Sequence, residues 1–98
     1  MDNDAKMLKK LSDALIDLQV KYRASSFQDQ KILLPTLKAL FGEVAKYQIK
    51  LLDDGTIVND ADLAEMDEIK QNIDDAAERQ QLLAAIGRTL GFVINRIA

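Results

Sequence analysis

Residues 63–97 read LAEMDEIKQNIDDAAERQQLLAAIGRTLGFVINRI, and the apolar positions of this stretch decide the fold. On a helical wheel at about 100° per residue they form two arcs about 120° apart. The first arc consists of Leu63, Met66, Ile69, Ile73, Ala76 and Ala77. The second arc consists of Leu82, Leu83, Ile86, Leu90, Val93, Ile94 and Ile97. The change of phase predicts either a break near residues 74–75 or one slowly supercoiling helix.

The two alternatives lead to different architectures. A break gives an antiparallel up-down four-helix bundle with short loops, which is the fold we predict for residues 1–98 as a single helical domain. An unbroken helix over residues 60–97 would be about 57 Å long, against about 30 Å for the first helix. The excess length would need a second chain to cover it, so the alternative is a dimer of three-helix chains. The sequence Asp75-Ala76-Ala77-Glu78 resembles a capping box and favours the break.

The preceding half of the chain predicts two amphipathic helices. Apolar residues recur at helical spacing over residues 4–24 and again over residues 26–52. The apolar stripe of the second helix is wide, which predicts contacts with two neighbouring helices. Pro35 predicts a kink or a break in that helix, because it lacks the N–H that an interior position donates. Gly55 is predicted to end the second helix and Asn59 to cap the third.

Charge is segregated along the chain although the net charge is only −3. Residues 1–52 contain nine basic and six acidic residues, whereas residues 53–81 contain two basic and ten acidic residues. This distribution predicts electrostatic pairing between helices within or between chains, or an acidic surface for a basic partner.

Composition argues against several function classes. The chain has no Cys and no His, and therefore lacks the commonest general base and the commonest transition-metal ligand. We therefore predict a protein that is not an enzyme and has no cofactor and no metal. Aromatic residues make up 5% of the chain, and the lysines of the first helix alternate with aspartates. This pattern lacks the single-sign stripe that is typical of nucleic-acid binding, so no nucleic-acid partner is expected.

The sequence also predicts no membrane association. The apolar residues 82–98 are interrupted by Arg88 and Arg96, and the segment is shorter than the roughly 20 residues that span a bilayer. Residues 1–4 include two aspartates where a secretory signal would be basic. We therefore expect a cytoplasmic protein.

One acidic pattern suggests an alternative function. Glu65 and Glu68 are three residues apart and share a helix face with Asn72 and Asp75, and oxygen ligands at such spacing can hold Mg²⁺. The pair is similar to those of all-helical nucleotide pyrophosphatases of the MazG type, which place acidic pairs on two facing helices. The resemblance covers four residues, and the chain has no second pair. It implies a magnesium-dependent nucleotide hydrolase, whereas the alternative interpretation is a solvated acidic face.

The main functional prediction is a small non-catalytic interaction module, such as a regulator, adaptor, inhibitor or immunity-type protein. Its partner would be an unidentified protein, and we also expect a homo-oligomer, most simply a homodimer. A further alternative is a purely structural homodimer whose C-terminal helices pack through Ala84, Gly87 and Gly91. The candidate interaction residues are apolar or small positions outside the main stripes, with two neighbouring arginines: Ile16, Val20, Ala84, Gly87, Arg88, Gly91, Phe92 and Arg96.

Two local patterns within this set support the prediction. Ala84, Gly87 and Gly91 form a strip of small residues that allows two helices to approach closely, either within the bundle or between two copies. Phe92 is predicted to project from the apolar arc between the two arginines, either as an exposed interface hot spot or as a side chain that a neighbouring chain or loop covers.

Overall fold

The computed structural model of the protein describes residues 2–54 and 57–97, which form four helices. The helices are α1 (Asn3–Ala24), α2 (Phe27–Asp54), α3 (Asp60–Asp75) and α4 (Arg79–Ile97). The all-α four-helix bundle is therefore confirmed. Three residues separate α3 from α4, so the predicted break is also confirmed and the continuous helix over residues 60–97 is wrong.

The end of α3 is stabilised by a lysine from α1. Ala76 has extended backbone angles, and its N–H donates to the carbonyl of Ile73. The ammonium of Lys21 donates to the carbonyl oxygens of Asp74 and Ala76, at 2.8 and 2.6 Å. Because the last carbonyls of a helix have no partner within the helix, this lysine satisfies groups that the break leaves open.

The start of α4 is capped differently from the prediction. The predicted box from Asp75 to Glu78 is wrong, because Asp75 still belongs to α3. The side-chain oxygen of Gln81 instead accepts from the N–H groups of Ala77 and Glu78, at 2.8 and 3.3 Å. Gln81 thus occupies the third helical position, whose side chain in a capping box accepts from the backbone N–H at the start of the helix.

The other local predictions have mixed outcomes. Pro35 is exposed and lies inside an unbroken α2, so the predicted break at this residue is wrong. Asn59 caps α3 as predicted, since its side chain accepts from the N–H of Asp62 at 2.8 Å while the Asp62 carboxylate accepts from Asn59 at 3.4 Å. The predicted helix end at Gly55 lies outside the described residues.

The helix directions alternate along the chain, but the neighbours are not simply consecutive. The main packing pairs are α1 with α2, α3 with α4, α1 with α3 and α2 with α4. The consecutive helices α2 and α3 therefore lie diagonally across the bundle, and so do α1 and α4. An ion pair of 2.5 Å from Lys10 to Asp67 joins α1 and α3, which run parallel. Each helix, and not α2 alone, contacts two main neighbours.

The core runs along the bundle axis. Its largest fully buried side chains are Met7, Leu11, Leu18, Leu33, Leu37, Leu40, Tyr47, Met66, Ile69, Ile73 and Ile86. Burial raises the pKa of the Tyr47 phenol to about 12, and the nearby charge of Asp62 adds to this effect. Within residues 2–54 and 57–97, no helix combines the length and the apolar character needed to cross a bilayer.

Candidate interaction surface

The predicted interaction residues occupy three different places. Ile16 and Val20 are exposed on α1, with 57% and 60% of their surface accessible. The small residues of α4 are exposed on its outer side, whereas its two arginines and Phe92 are directed toward α3. Because α1 and α4 are diagonal, the exposed residues of α1 and the small residues of α4 cannot form one surface.

The interpretation of Phe92 as an exposed hot spot is wrong, and the residue is covered, by the bundle itself and not by a loop or a second chain. Its side chain is only 3% accessible, and the guanidinium of Arg96 covers the ring at 3.8 Å from the centroid. Arg96 in turn donates to carboxylate oxygens of Asp62 and Glu65 on α3, at 2.9 and 2.8 Å. The apolar stripe of α4 is wider than the wheel indicated, because α2 and α3 both pack against this helix.

The acidic face of α3 is bound by arginines of the same chain. Arg88 donates to Asn72 and to Glu68, the latter at 3.1 Å. Glu65 is held by Arg96. Electrostatic pairing between helices of one chain is therefore confirmed, but α3 pairs mainly with arginines of α4 and pairs with the basic first half only through Lys10 among the described residues. Across the described part of the chain, no group of three or more His, Cys, Asp or Glu residues could hold a metal ion.

The strip of small residues does not serve close packing within the bundle. A Cβ atom added at Gly87 or at Gly91 would meet no atom of the described residues within 4 Å, and Ala84 is exposed. The prediction of tight intramolecular packing is therefore wrong. Ala84 instead borders an open cleft of about 370 Å³ between α3 and α4, whose lining includes Asn72 and Arg88.

Most of the strongly exposed apolar side chains lie on α1 and α2. Five side chains that are 57–72% accessible make up this set: Ile16, Val20, Phe27, Ile49 and Leu52. The set extends along the bundle, because Phe27 and Leu52 lie at opposite ends of α2, about 37 Å apart at 1.5 Å per residue. We call the surface that they occupy the α1–α2 face. The sequence pattern of α1 indicates the exposure of its two residues, whereas Leu52 continues the wide apolar stripe of α2 and its exposure is not visible in that pattern.

Helical geometry places the α2 residues on the side next to α1. At 100° per residue, Phe27, Ile49 and Leu52 fall within an arc of about 60°. Gln30 borders this arc, and its amide donates to the carbonyl of Tyr22 on α1 at 3.0 Å. The exposed residues of α2 therefore extend the surface of α1 rather than facing α4.

Ile16 of α1 points away from α3. Lys10, which pairs with Asp67 of α3, lies about 120° from Ile16 on the wheel. Val20 follows Ile16 one turn later and lies about 40° closer to Lys10, about 80° from it. Ile16 therefore belongs to the outer layer that α1 shares with α2, and Val20 lies at the edge of that layer nearer to α3.

The α1–α2 face is basic as well as apolar. Lys9 of α1 and Lys31 and Lys38 of α2 fall within the same arcs, Arg23 lies about 20° outside the α1 arc beside Ile16, and all four are exposed. The helical residues within the arcs include no Asp or Glu, and Asp13 lies about 20° beyond Val20 on the side toward α3. The ammonium of Lys31 lies 4.6 Å from the ring centroid of Phe27. None of the four basic residues forms an ion pair with a residue that the structure describes.

The bundle therefore has two electrostatically different sides. The carboxylates of α3 pair with Lys10, Arg88 and Arg96, whereas the basic residues of the α1–α2 face have no such counterpart among the described residues.

The chain matches no protein-family model, no curated protein and no solved structure.

Proposed function

We propose that the protein is a small non-catalytic helical interaction module that binds a partner protein through the α1–α2 face. The observation that carries this proposal is the concentration of exposed apolar side chains on one side of the bundle. Five of the eight large apolar side chains exposed among the described residues belong to this one face. They form a stripe and not a compact patch, because Phe27 and Leu52 lie about 37 Å apart along α2 at 1.5 Å per residue. Scattered single apolar residues are normal on a protein surface, and their concentration on one side is what favours an elongated binding site.

The free energy available from apolar burial indicates that binding through this face needs polar contacts as well. Fully burying a large apolar side chain contributes about 1.5–3 kcal/mol, so covering five that are already partly buried contributes roughly 5–10 kcal/mol. Association costs about 4–15 kcal/mol in lost translational and rotational freedom. Apolar contact therefore only about offsets this cost, and polar contacts from the same face are needed for stable binding.

The test compares two matched double variants of the tagged protein, expressed in the cells that naturally produce it. Ile16→Ser/Val20→Ser alters the α1–α2 face, and Ile32→Ser/Ile57→Ser removes two exposed isoleucines outside both candidate surfaces. We expect a stoichiometric partner to co-purify with the unchanged protein and with the second variant, but not with the first. Equal retention by both variants, or no partner at all, would contradict the proposal.

A second candidate function is self-association through the outer side of α4. The observation that favours it is the open space around Gly87 and Gly91, beside Ile94, which is 45% accessible. Small residues allow a second helix to approach closely. The unchanged protein should then be a dimer by light scattering and Gly87→Leu a folded monomer. A monomeric unchanged protein at high concentration would contradict this candidate.

A further inference from the structure

We infer that the partner segment recognised by the α1–α2 face is an acidic amphipathic helix of another protein. This inference rests on the proposed function and specifies the chemistry of the partner. Its basis is charge complementarity. Lys9, Arg23, Lys31 and Lys38 are exposed among the apolar residues of the face, and no carboxylate of α1 or α2 lies within its arcs.

The shape of the face fits a helix. The face is elongated, since α1 alone is about 33 Å long at 1.5 Å per residue. Ile16 and Val20 follow each other at four-residue spacing, the spacing at which ridges of a second helix can pack. A partner helix that runs along the face would have roughly 18–22 residues. Its apolar stripe would cover the isoleucine and leucine side chains, and its flanking carboxylates would meet the lysines.

The position of the lysines favours a partner protein, and not a lipid membrane, as the occupant of the face. Helices that lie on membranes bury an apolar side in the acyl region and keep their basic residues on the polar side. Lys31 and Lys38 lie instead inside the arc that also holds Phe27 and Ile49. Membrane insertion of these apolar residues would draw both ammonium groups toward the hydrocarbon, whereas a helix can place a carboxylate opposite each.

Nucleic acid fits the face less well than a helix does. Phosphate groups could pair with the four basic residues, but a phosphate backbone offers no apolar surface to cover Ile16, Val20 or Leu52. Base stacking would need aromatic side chains, and Phe27 is the one aromatic residue in the arcs. An amphipathic helix supplies both the apolar and the anionic contacts.

The test uses a displayed library of 18-residue peptides with a fixed leucine stripe and flanking positions that encode Glu, Gln or Lys. The library is selected on the immobilised full chain. We expect Glu to be enriched over Lys, and the selected peptides to bind with an affinity that falls as salt rises. Enrichment of Lys, the absence of any charge preference, or the absence of binders would overturn the inference.

Two double variants with the same charge change provide the control. Lys31→Gln/Lys38→Gln alters the α1–α2 face, whereas Lys6→Gln/Lys46→Gln alters exposed lysines outside its arcs. The selected peptides should bind the first variant about tenfold more weakly and the second with unchanged affinity. Equal effects of the two variants would overturn the inference, as would binding of the unchanged protein to phosphatidylserine vesicles that the first variant loses.

Failure of this inference is distinguishable from failure of the proposed function. A natural partner that is lost in Ile16→Ser/Val20→Ser but retained in Lys31→Gln/Lys38→Gln supports an interaction module whose partner is not acidic. The absence of any partner that depends on Ile16 and Val20 contradicts the proposed function itself.

Discussion

The guanidinium of Arg96 lies 3.8 Å from the ring centroid of Phe92 and covers a side chain that is otherwise buried. The same guanidinium binds carboxylates of α3, and the Arg96 side chain is 24% accessible. A single residue therefore joins α4 to α3 by ion pairs and also makes a cation–π contact within α4. Partial burial strengthens both interactions relative to a fully exposed pair.

Arg96→Ala should lower the free energy of unfolding by about 1–3 kcal/mol, since it uncovers the Phe92 ring and leaves Asp62 without its partner. Urea denaturation measures the change. Arg88→Ala is the matched control, because its partner Glu68 is 72% accessible and exposed pairs contribute about 0–1 kcal/mol. Equal losses in the two variants would show that burial of the Arg96 contacts contributes nothing.

Asp4→Ala should destabilise the start of α3. The Asp4 carboxylate is buried and accepts from the N–H groups of Ile57 and Val58, at 3.1 and 2.9 Å. Loss of this acceptor leaves two amides without a partner and should cost about 1–3 kcal/mol. Hydrogen exchange of the Val58 amide should become faster, as measured by NMR.

Asp2→Ala is the control for this prediction. Asp2 caps α1 by accepting from the N–H of Ala5 at 2.7 Å, and a lost cap costs about 1 kcal/mol. Exchange at Val58 should be unchanged in this variant beyond the effect of the lower global stability. A similar local acceleration in both variants would contradict the assignment of Asp4 as the acceptor that holds this segment.

Helix positions could be predicted from the sequence because their signals are local. The phase change in residues 63–97 indicated the break between α3 and α4, and Asn59 indicated a helix start. The environment of Phe92 could not be predicted in this way. It depends on α3 lying beside α4, and on acidic residues of α3 whose distance along the chain from Arg96 exceeds 30 residues.

The candidate surface could be predicted only in part, for a related reason. Ile16 and Val20 interrupt a charged face, so their exposure is visible in the pattern of α1 alone. Leu52 lies at the edge of a wide apolar stripe, and its exposure depends on how much of that stripe α1 covers. Helix packing, which the periodicity of one helix does not specify, therefore decides the extent of the α1–α2 face.

Asp17→Asn should stabilise the protein near neutral pH. Burial raises the pKa of the Asp17 carboxyl above its ordinary value of 3.8, and repulsion from Asp74 raises it further. The folded state therefore binds this proton more tightly than the unfolded state, so stability falls as pH rises through the folded pKa. Removing the charge should add about 0.5 kcal/mol at pH 7, the scale of an exposed charge interaction.

The gain from Asp17→Asn should disappear as the pH falls below 3.8, because the carboxyl is then neutral in both states. Urea denaturation at a series of pH values measures this dependence. In an Asp74→Asn background the gain at pH 7 should also shrink, since one source of repulsion is already absent. An undiminished gain in that background would contradict the interaction between the two carboxylates.

Gly87→Ala and Gly91→Ala should each stabilise the monomeric protein. The added Cβ meets no described atom within 4 Å, and alanine is favoured over glycine in a helix interior by about 1 kcal/mol. Each substitution should raise the melting temperature by about 4–8 °C in a chain of this size. Gly42→Ala in α2 is the matched control, because its surroundings are equally open.

Gains in stability at all three positions that do not depend on protein concentration indicate that nothing covers α4. A gain at Gly42 alone, with losses at Gly87 and Gly91 that grow with protein concentration, indicates instead that a second copy packs against the small residues of α4.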